Sequence, residues 1–183
     1  METHEFTLVA TGLDPAAPDF EDRFLRAGCE DATVSFQKGR ILVDFTREAA
    51  SLEAAVARAV ADVRAAGAQV ERIEPDPLVS LADMAGRARL SRSALTHYFR
   101  GQRAGGPGSE GFPAPRARVT TDSPLWDWAD ASAWLYRRRR ISRRVAVDAR
   151  VVSEANALIG QGAAGDFERT LGERVRAAVA GLD

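Results

Sequence analysis

The residues whose types and spacing best suit a chemical task lie in the segment 91–99, SRSALTHYF. Arg92, Ser93, Thr96 and His97 fall on the outward face of the helix that this segment predicts. Their side chains are small, polar or cationic, so they can form hydrogen bonds with base edges in a DNA major groove and with phosphate oxygens. Such a combination is typical of a DNA-recognition helix.

A shorter helix precedes this one, and a tight turn joins the two. The turn falls at Arg89 and Leu90, and Ser91 then supplies a side chain able to cap the second helix. The spacing predicts that the helices pack through apolar residues on their inward sides: Leu81, Met84, Ala85, Ala94, Leu95 and Tyr98. An ordinary helical hairpin in a protein core is the alternative interpretation of this pair.

The charged residues are strongly segregated, although the formal net charge of the 183 residues is only −1. Residues 1–76 hold 8 Lys and Arg against 15 Asp and Glu, and residues 77–145 hold 13 Arg against 5 acidic residues. Residues 146–183 hold 4 against 6. Because the basic segment contains the helix pair, this asymmetry indicates that the segment meets a polyanion. Chance clustering on a solvated surface is the alternative.

The acidic part of the chain carries strand and helix patterns in alternation. In order they predict a strand, a helix, two strands joined at Lys38 and Gly39, a second helix and a last strand, at 5–13, 19–28, 32–37, 40–45, 51–67 and 69–75. This βαββαβ order is that of a ferredoxin-like module, an antiparallel sheet with both helices on one face. We expect it to serve in dimerisation or in sensing an effector.

The residues after the helix pair predict a wing and further helices. Glycine and proline dominate 101–116, and residues 112–121 suit a β-hairpin wing that contains a short strand. Helices are predicted at 130–138, 142–159 and 166–180, with a core that includes Trp126, Trp128 and Trp134. The four arginines at 137–140 suit either a solvated helix end or phosphate contacts. The part after Gly160 is expected to be loosely attached, partly disordered or folded against a partner.

The segments LADMAGRARLSRSALTHYFRGQR, GFPAPRARV and SPLWDWADASAWL together resemble the winged helix-turn-helix of MerR-like DNA-binding proteins. The likeness covers residues 78–140 and is to the small bacterial branch that includes prophage regulators and excisionase-type proteins. In that branch a recognition helix leads into a Phe-Pro-x-Pro element, then a wing, then a helix with Trp-Leu near its end. The matching positions in this chain are Phe112, Pro113 and Pro115, residues 116–121, and Trp134 and Leu135.

The resemblance implies a binding site for double-stranded DNA. It places a recognition helix at 91–99, a wing at 112–121, and DNA contacts on Arg92, Ser93, Thr96, His97, Arg100, Arg103, Arg116 and Arg118. We expect a phosphate contact from Arg89 as well. One departure is Arg89, which stands where the turn often has glycine. A non-glycine residue adopts the left-handed geometry of such a turn at a cost of about 1 kcal/mol. We also expect a homodimer, because one recognition helix reads too few base pairs to be selective.

The sequence therefore predicts an α+β chain in three parts. These are a ferredoxin-like module at 1–76, a mainly helical winged helix-turn-helix domain at 77–141, and C-terminal helices or a tail at 142–183. We expect a bacterial transcriptional regulator in the cytoplasm, at the nucleoid, without a signal peptide or a membrane span. The alternative is an adaptor that binds protein, or an architectural or recombination accessory factor.

Enzyme, metal and cofactor functions lack the residues that they need. Cys29 is the single cysteine, and His4 and His97 are the two histidines, so neither a metal cluster nor a catalytic triad is indicated. No glycine motif for phosphate binding lies between a predicted strand and helix. We expect no cofactor and no catalysis. A small enzyme in the acidic part is a further alternative, although its carboxylates lie at turns and helix starts, where acids are common.

Overall fold

The computed structural model describes residues 1–104, 111–162 and 166–182, and the backbone alone for 101–104. Within these ranges the elements are β1 (Glu2–Thr11), α1 (Phe20–Arg26), β2 (Ala32–Gln37), β3 (Arg40–Ala49), α2 (Leu52–Ala65), β4 (Gln69–Glu74), β5 (Leu78–Val79), α3 (Leu81–Ala88), α4 (Arg92–Ala104), β6 (Trp126–Asp127), α5 (Trp128–Arg137), α6 (Arg143–Gly160) and α7 (Phe167–Val179). The predicted α+β class is confirmed. In this described part, no helix combines the length and apolar character needed to cross a bilayer.

The chain divides into two compact units. The first, which we call the sheet unit, comprises Met1–Pro75 and Glu154–Ala177. The second, the helical unit, comprises Asp76–Ser153 and a short C-terminal piece that begins at Ala178. The segment 142–183, which the sequence predicts as a separate part, is thus divided between the two units, because its helices contribute buried residues to both.

The sheet unit is built on four antiparallel strands in the order β2-β3-β1-β4. Along β3 every second side chain is buried, and Ile41, Val43 and Phe45 have at most 2% of their surface exposed. The register sets Phe6 opposite Phe45, and the two rings stack with their centroids 5.4 Å apart. Cross-strand aromatic pairs of this kind stabilise a sheet.

The turn between β2 and β3 and the start of α2 follow local sequence signals. Lys38 and Gly39 both have a positive φ, 51° and 77°, which a two-residue hairpin turn requires. At the start of α2, the Ser51 hydroxyl oxygen accepts a hydrogen bond from the Ala54 N–H at 3.2 Å. The helix then buries one stripe of small and branched residues: Ala55, Val56, Ala59, Val60 and Val63. The predicted turn at Lys38 and Gly39 is confirmed.

A buried arginine joins three segments of the sheet unit. Arg47 lies on the buried face of β3 with 7% of its surface exposed. Its guanidinium donates two hydrogen bonds to the Asp31 carboxylate, at 2.7 and 2.8 Å, and one to Asp62 at 2.7 Å. A further bond reaches the Gly28 carbonyl oxygen at 3.0 Å, and the Phe45 ring centroid lies 4.6 Å from the guanidinium carbon. The charge is therefore paired, as a buried cation requires.

The C-terminal helices contribute to the core of the sheet unit. The apolar stripe of α7 is buried and consists of Phe167, Leu171 and Val175. On α6, the Asn156 side chain donates to the Ile73 carbonyl at 3.1 Å and accepts from the Ile73 N–H at 2.7 Å. It thereby covers part of β4, which is an edge strand. The expectation of a loosely attached part after Gly160 is wrong for residues 166–182, because burial of this stripe holds α7 in place.

The helical unit has aromatic side chains at its centre. Trp126, Trp128 and Trp134 have exposed fractions of 0%, 7% and 3%, which confirms their predicted place in the core. The short strands β5 and β6 pair in antiparallel fashion, with Val79 opposite Trp126. This pairing brings the chain that precedes α3 next to the chain that precedes α5.

Arg47→Met tests the buried ion cluster. We expect the free energy of unfolding to fall by about 3 kcal/mol, because Asp31 and Asp62 would stay partly buried without their cation. Urea denaturation followed by circular dichroism measures the change. Arg23→Met is the matched control, since Arg23 pairs with Asp19 at 2.8 Å on the surface, where a pair contributes at most about 1 kcal/mol. Equal losses in the two variants would contradict the assignment.

The ion cluster around Arg47 also leads us to expect that the protein is less stable at acid pH. The hydrogen bond from Arg47 lowers the pKa of Asp31 below its usual value. A carboxyl whose pKa is lower in the folded state stabilises the fold above its unfolded pKa, and that stability is lost as the pH falls through the folded value. We therefore expect the unfolding free energy to fall below about pH 4, and to fall less in Asp31→Asn. A parallel fall in both proteins would show that other groups set the limit.

Candidate nucleic-acid interface

Helix α3 begins with a reciprocal cap. The Ser80 hydroxyl oxygen accepts a hydrogen bond from the Asp83 N–H at 3.2 Å. The Asp83 carboxylate accepts in return from the Ser80 N–H at 3.0 Å and from the Ser80 hydroxyl at 2.7 Å. The bonds from the Ser80 hydroxyl and N–H lower the pKa of Asp83. This is a capping box, and the Ser-x-x-Asp spacing could have predicted it.

Arg89 makes the turn between α3 and α4. Its backbone is left-handed, with φ 52° and ψ 40°, the geometry expected where glycine is common. The Leu90 N–H donates to the Ala85 carbonyl at 3.0 Å, and the Arg89 N–H donates to the Gly86 carbonyl at 3.2 Å. These bonds satisfy carbonyl groups at the end of α3. The tight turn therefore forms without glycine, and its arginine is exposed.

Helix α4 buries an apolar face and presents a polar one. The Ser91 hydroxyl oxygen accepts from the Ala94 N–H at 3.2 Å, which confirms the predicted cap. Leu95 is fully buried, and the rings of Tyr98 and Trp134 meet edge to face with their centroids 5.0 Å apart. The opposite face is polar, with Thr96 half-buried and four residues exposed: Arg92, Ser93, His97 and Arg100.

Phe99 also anchors α4, although the predicted inward set does not contain it. Its ring meets the ring of Trp126 edge to face, with centroids 5.1 Å apart. Phe99 follows Leu95 by four residues, so helical spacing could have predicted the contact. The Trp126 indole N–H in turn donates to the Pro113 carbonyl at 3.0 Å, and the Phe112 ring lies 6.3 Å away. One side chain thus joins α4, β6 and the start of the predicted wing.

The predicted wing is a loop whose two arms are joined by few backbone bonds. The Arg116 N–H donates to the Leu125 carbonyl at 2.7 Å, and the Leu125 N–H donates to the Ala117 carbonyl at 2.9 Å. Ala117 and Leu125 form an isolated bridge. Next along the chain, Arg118 has φ 52°, and its backbone carbonyl oxygen accepts a hydrogen bond from the Thr121 hydroxyl at 2.9 Å. The predicted short strand is therefore wrong, because a left-handed residue ends the pairing after one bridge.

An open groove of about 760 Å³ lies between α4 and this loop. Arg92, Thr96 and Arg100 line it on the side of α4, and Pro115 and Thr121 line it on the side of the loop. The two guanidinium groups on the α4 wall give the groove a cationic side, and the Asp122 carboxylate on the loop side offsets part of that charge. A charged cleft of this kind favours the approach of a polyanion.

The structure brings most of the predicted contact residues of α4 together. One surface depression is lined by five of them: Arg92, Ser93, Thr96, His97 and Arg100. Arg89 and Arg118 are exposed in their separate turns. Arg116 is exposed as well, and its guanidinium lies 3.6 Å from the Asp130 carboxylate. The side chain of Arg103 lies outside the described residues.

Four consecutive arginines stand at the end of α5. Arg137 is the last helical residue, and the Arg138 guanidinium lies 4.3 Å from the ring centroid of Trp134. Arg139 is left-handed, with φ 57°, and all four side chains are exposed. Because the left-handed residue ends the helix, the four side chains do not continue one helical face. Cations at this end complement the helix dipole.

The described residues contain neither a metal-binding cluster nor an activated thiol. Among them, no group of three or more His, Cys, Asp or Glu side chains could hold a metal ion. Burial raises the pKa of the Cys29 thiol to about 11. The thiol is therefore protonated at neutral pH, and a protonated thiol is a poor nucleophile.

Comparison with known proteins leaves the geometry as the basis for inferring function. No protein-family model, no curated protein and no solved structure matches the chain. The features that bear on function are therefore α4, the turn before it and the loop across the groove.

Arg89→Gly tests the strain in the turn. Glycine adopts the left-handed region freely, so we expect the unfolding free energy to rise by about 0.5–1 kcal/mol, after allowance for the flexibility of glycine in the unfolded chain. Ala82→Gly is the matched control in α3, an exposed position where glycine is expected to cost about 1 kcal/mol. Thermal unfolding measures both variants. A loss of stability in Arg89→Gly would contradict the proposed strain.

Proposed function

We propose that this protein is a sequence-specific DNA-binding protein, a transcriptional regulator that reads double-stranded DNA through α4. The observation that carries the proposal is the polar face of α4 beside a groove: Arg92, Ser93, Thr96, His97 and Arg100. The helix has 13 residues, which corresponds to about 20 Å of length. A major groove about 12 Å wide accepts such a helix, and recognition helices place base contacts near their N-terminal end.

We infer that the helical unit is a winged helix-turn-helix. The left-handed turn at Arg89 supports the helix pair, and the loop closed by Ala117 and Leu125 stands where a wing would follow. In this proposal Arg92 contacts bases, because its guanidinium suits the two acceptors of a guanine edge. Arginines at other positions hold phosphates, which position the protein without selecting sequence: Arg89, Arg100, Arg103, Arg116 and Arg118.

We infer further that the sheet unit has a ferredoxin-like arrangement. The βαββαβ order of β1 to β4 and the antiparallel pairing of all four strands support it. We propose that this unit serves in dimerisation or effector sensing. A dimer would let two copies of α4 read two half-sites, which gives the selectivity that one helix lacks. A cytoplasmic, nucleoid-associated location follows from the same proposal.

Selection from a random pool of DNA duplexes tests the proposal. The full-length protein is expected to enrich one sequence motif, which labelled duplexes then confirm by fluorescence anisotropy. Enrichment without a motif would favour an architectural factor instead. The absence of duplex binding even at low salt would overturn the proposal, because phosphate contacts alone bind DNA under that condition.

Two arginines of α4 are expected to respond differently to substitution. Arg92→Ala should relax preference at one base pair and cost about 1–3 kcal/mol on the selected site. Arg100→Ala should weaken binding to all duplexes alike and lower the salt slope by about one. Arg169→Ala is the control, since Arg169 lies in the sheet unit and pairs with Glu173 at 3.1 Å. Anisotropy titrations at several salt concentrations measure all three, and equal weakening of every duplex by Arg92→Ala would place Arg92 on phosphate.

A further inference from the structure

A second pocket of the helical unit gathers three arginines around one carboxylate. It has a volume of about 440 Å³ and lies between the segment 113–116 and residues of α5 and α6. Its charged lining residues are Arg116, Arg137, Arg150 and Asp130. Three guanidinium groups against one carboxylate leave an excess of positive charge in a concave site.

The Asp130 carboxylate lies too far from the arginines of this pocket to form short charge-assisted hydrogen bonds with them. One Asp130 oxygen lies 3.5 Å from a terminal nitrogen of Arg150, and the other lies 3.6 Å from a terminal nitrogen of Arg116. Charge-assisted hydrogen bonds between guanidinium and carboxylate groups usually have lengths of about 2.7–2.9 Å. The buried Arg47 of the sheet unit meets that standard, at 2.7 Å to each of its two carboxylates. Arg116 and Arg150 do not form carboxylate bonds of that length, although Arg150 has only 20% of its side chain exposed.

Arg150 also carries a donor that no described residue satisfies. Its Nε atom is buried and has no hydrogen-bond partner among the described residues. Buried donors of proteins are nearly always paired, and each exception calls for a physical reason. An oxyanion that entered beside Asp130 would draw the guanidinium toward it and supply acceptor oxygens that the single carboxylate lacks.

We propose that this pocket binds a phosphate group. Phosphate oxygens match the planar fork of an arginine, and an excess of cations favours an anion of more than one charge. Ala114 and Pro115 line both this pocket and the groove beside α4, so a bound phosphate fixes the segment that separates the two. The phosphate belongs either to a small phosphorylated ligand or to a DNA backbone. The inference does not depend on DNA binding, because inorganic phosphate alone can test it.

A phosphate titration at constant ionic strength is the test. Inorganic phosphate replaces chloride while arginine Nε–Hε resonances are recorded by NMR, and the wild-type protein is expected to show saturable shifts for Arg150. Arg137→Gln removes an exposed cation of the pocket and is expected to weaken phosphate binding about tenfold, the effect of one charge-assisted hydrogen bond. Asp130→Asn removes the competing carboxylate and is expected to tighten binding. Arg140→Gln removes an equal charge outside the pocket and is expected to change nothing.

These measurements distinguish a specific phosphate-binding site from nonspecific electrostatic attraction of anions. Shifts that do not saturate, or equal weakening by Arg137→Gln and Arg140→Gln, would overturn the proposal. Weaker binding in Asp130→Asn would also overturn it, because a repelling carboxylate cannot help an anion to bind. Thermal unfolding of each variant shows that it is folded, and the exposed Arg137 keeps the test independent of the packing of Arg150.

A labelled duplex distinguishes the two sources of the phosphate. If the group belongs to DNA, inorganic phosphate competes with the duplex at constant ionic strength, and Arg137→Gln lowers the salt slope by about one. If it belongs to a small ligand, phosphate binds without displacing the duplex, and the slope of Arg137→Gln is that of the wild type. Should the protein bind no duplex at all, the proposed function fails while the phosphate titration still decides the pocket.

Discussion

Burial of the Trp126 indole is the constraint on which the helical unit depends. A buried indole N–H needs an acceptor, and the Pro113 carbonyl provides it at 3.0 Å. That bond ties the loop across the groove to the core, while the edge-to-face contact with Phe99 sets the rotation of α4 about its own axis. Because Leu95 and Tyr98 point inward, Ser93, His97 and Arg100 are directed outward, while Arg92 and Thr96 lie at the edge of the polar face beside Phe99. The polar surface of α4 is therefore defined by what its other face buries.

Arginine serves this chain in three ways, and the surroundings decide between them. Arg47 is desolvated, so it requires two carboxylates and a carbonyl to offset the loss of water. Arg138 keeps its contact with solvent and covers a tryptophan face, a cation–π contact of modest energy. Arg92 is exposed on α4, where water solvates its guanidinium. The same side chain is thus structural in the sheet unit and available for binding in the helical unit.

Local patterns predicted much of the fold, because helix caps, turns and alternation depend on neighbours in the chain. The left-handed turn at Arg89 and the cap at Ser91 belong to this class. The features that were missed depend on distant partners. Arg47 reads as one polar residue in a strand until Asp31 and Asp62 lie beside it, and α7 looks unattached until its stripe is buried. The candidate site was predictable on α4 but not in the phosphate pocket, whose residues come from segments that only the tertiary fold joins.

The hydrogen bond that the Thr96 hydroxyl makes within α4 limits which DNA bases this side chain could contact. It donates its single proton to the Arg92 carbonyl at 2.9 Å within the helix, so the oxygen retains lone pairs alone. In a major groove, the hydrogen-bond donors are the exocyclic amines of adenine and cytosine, whereas guanine offers acceptors. The Arg92 side chain can only donate hydrogen bonds, and the Thr96 hydroxyl is left able only to accept them. A donor and an acceptor thus stand about one helical turn apart. If α4 reads DNA as we propose, this hydrogen bond within the helix favours a site in which a guanine lies next to an adenine or a cytosine.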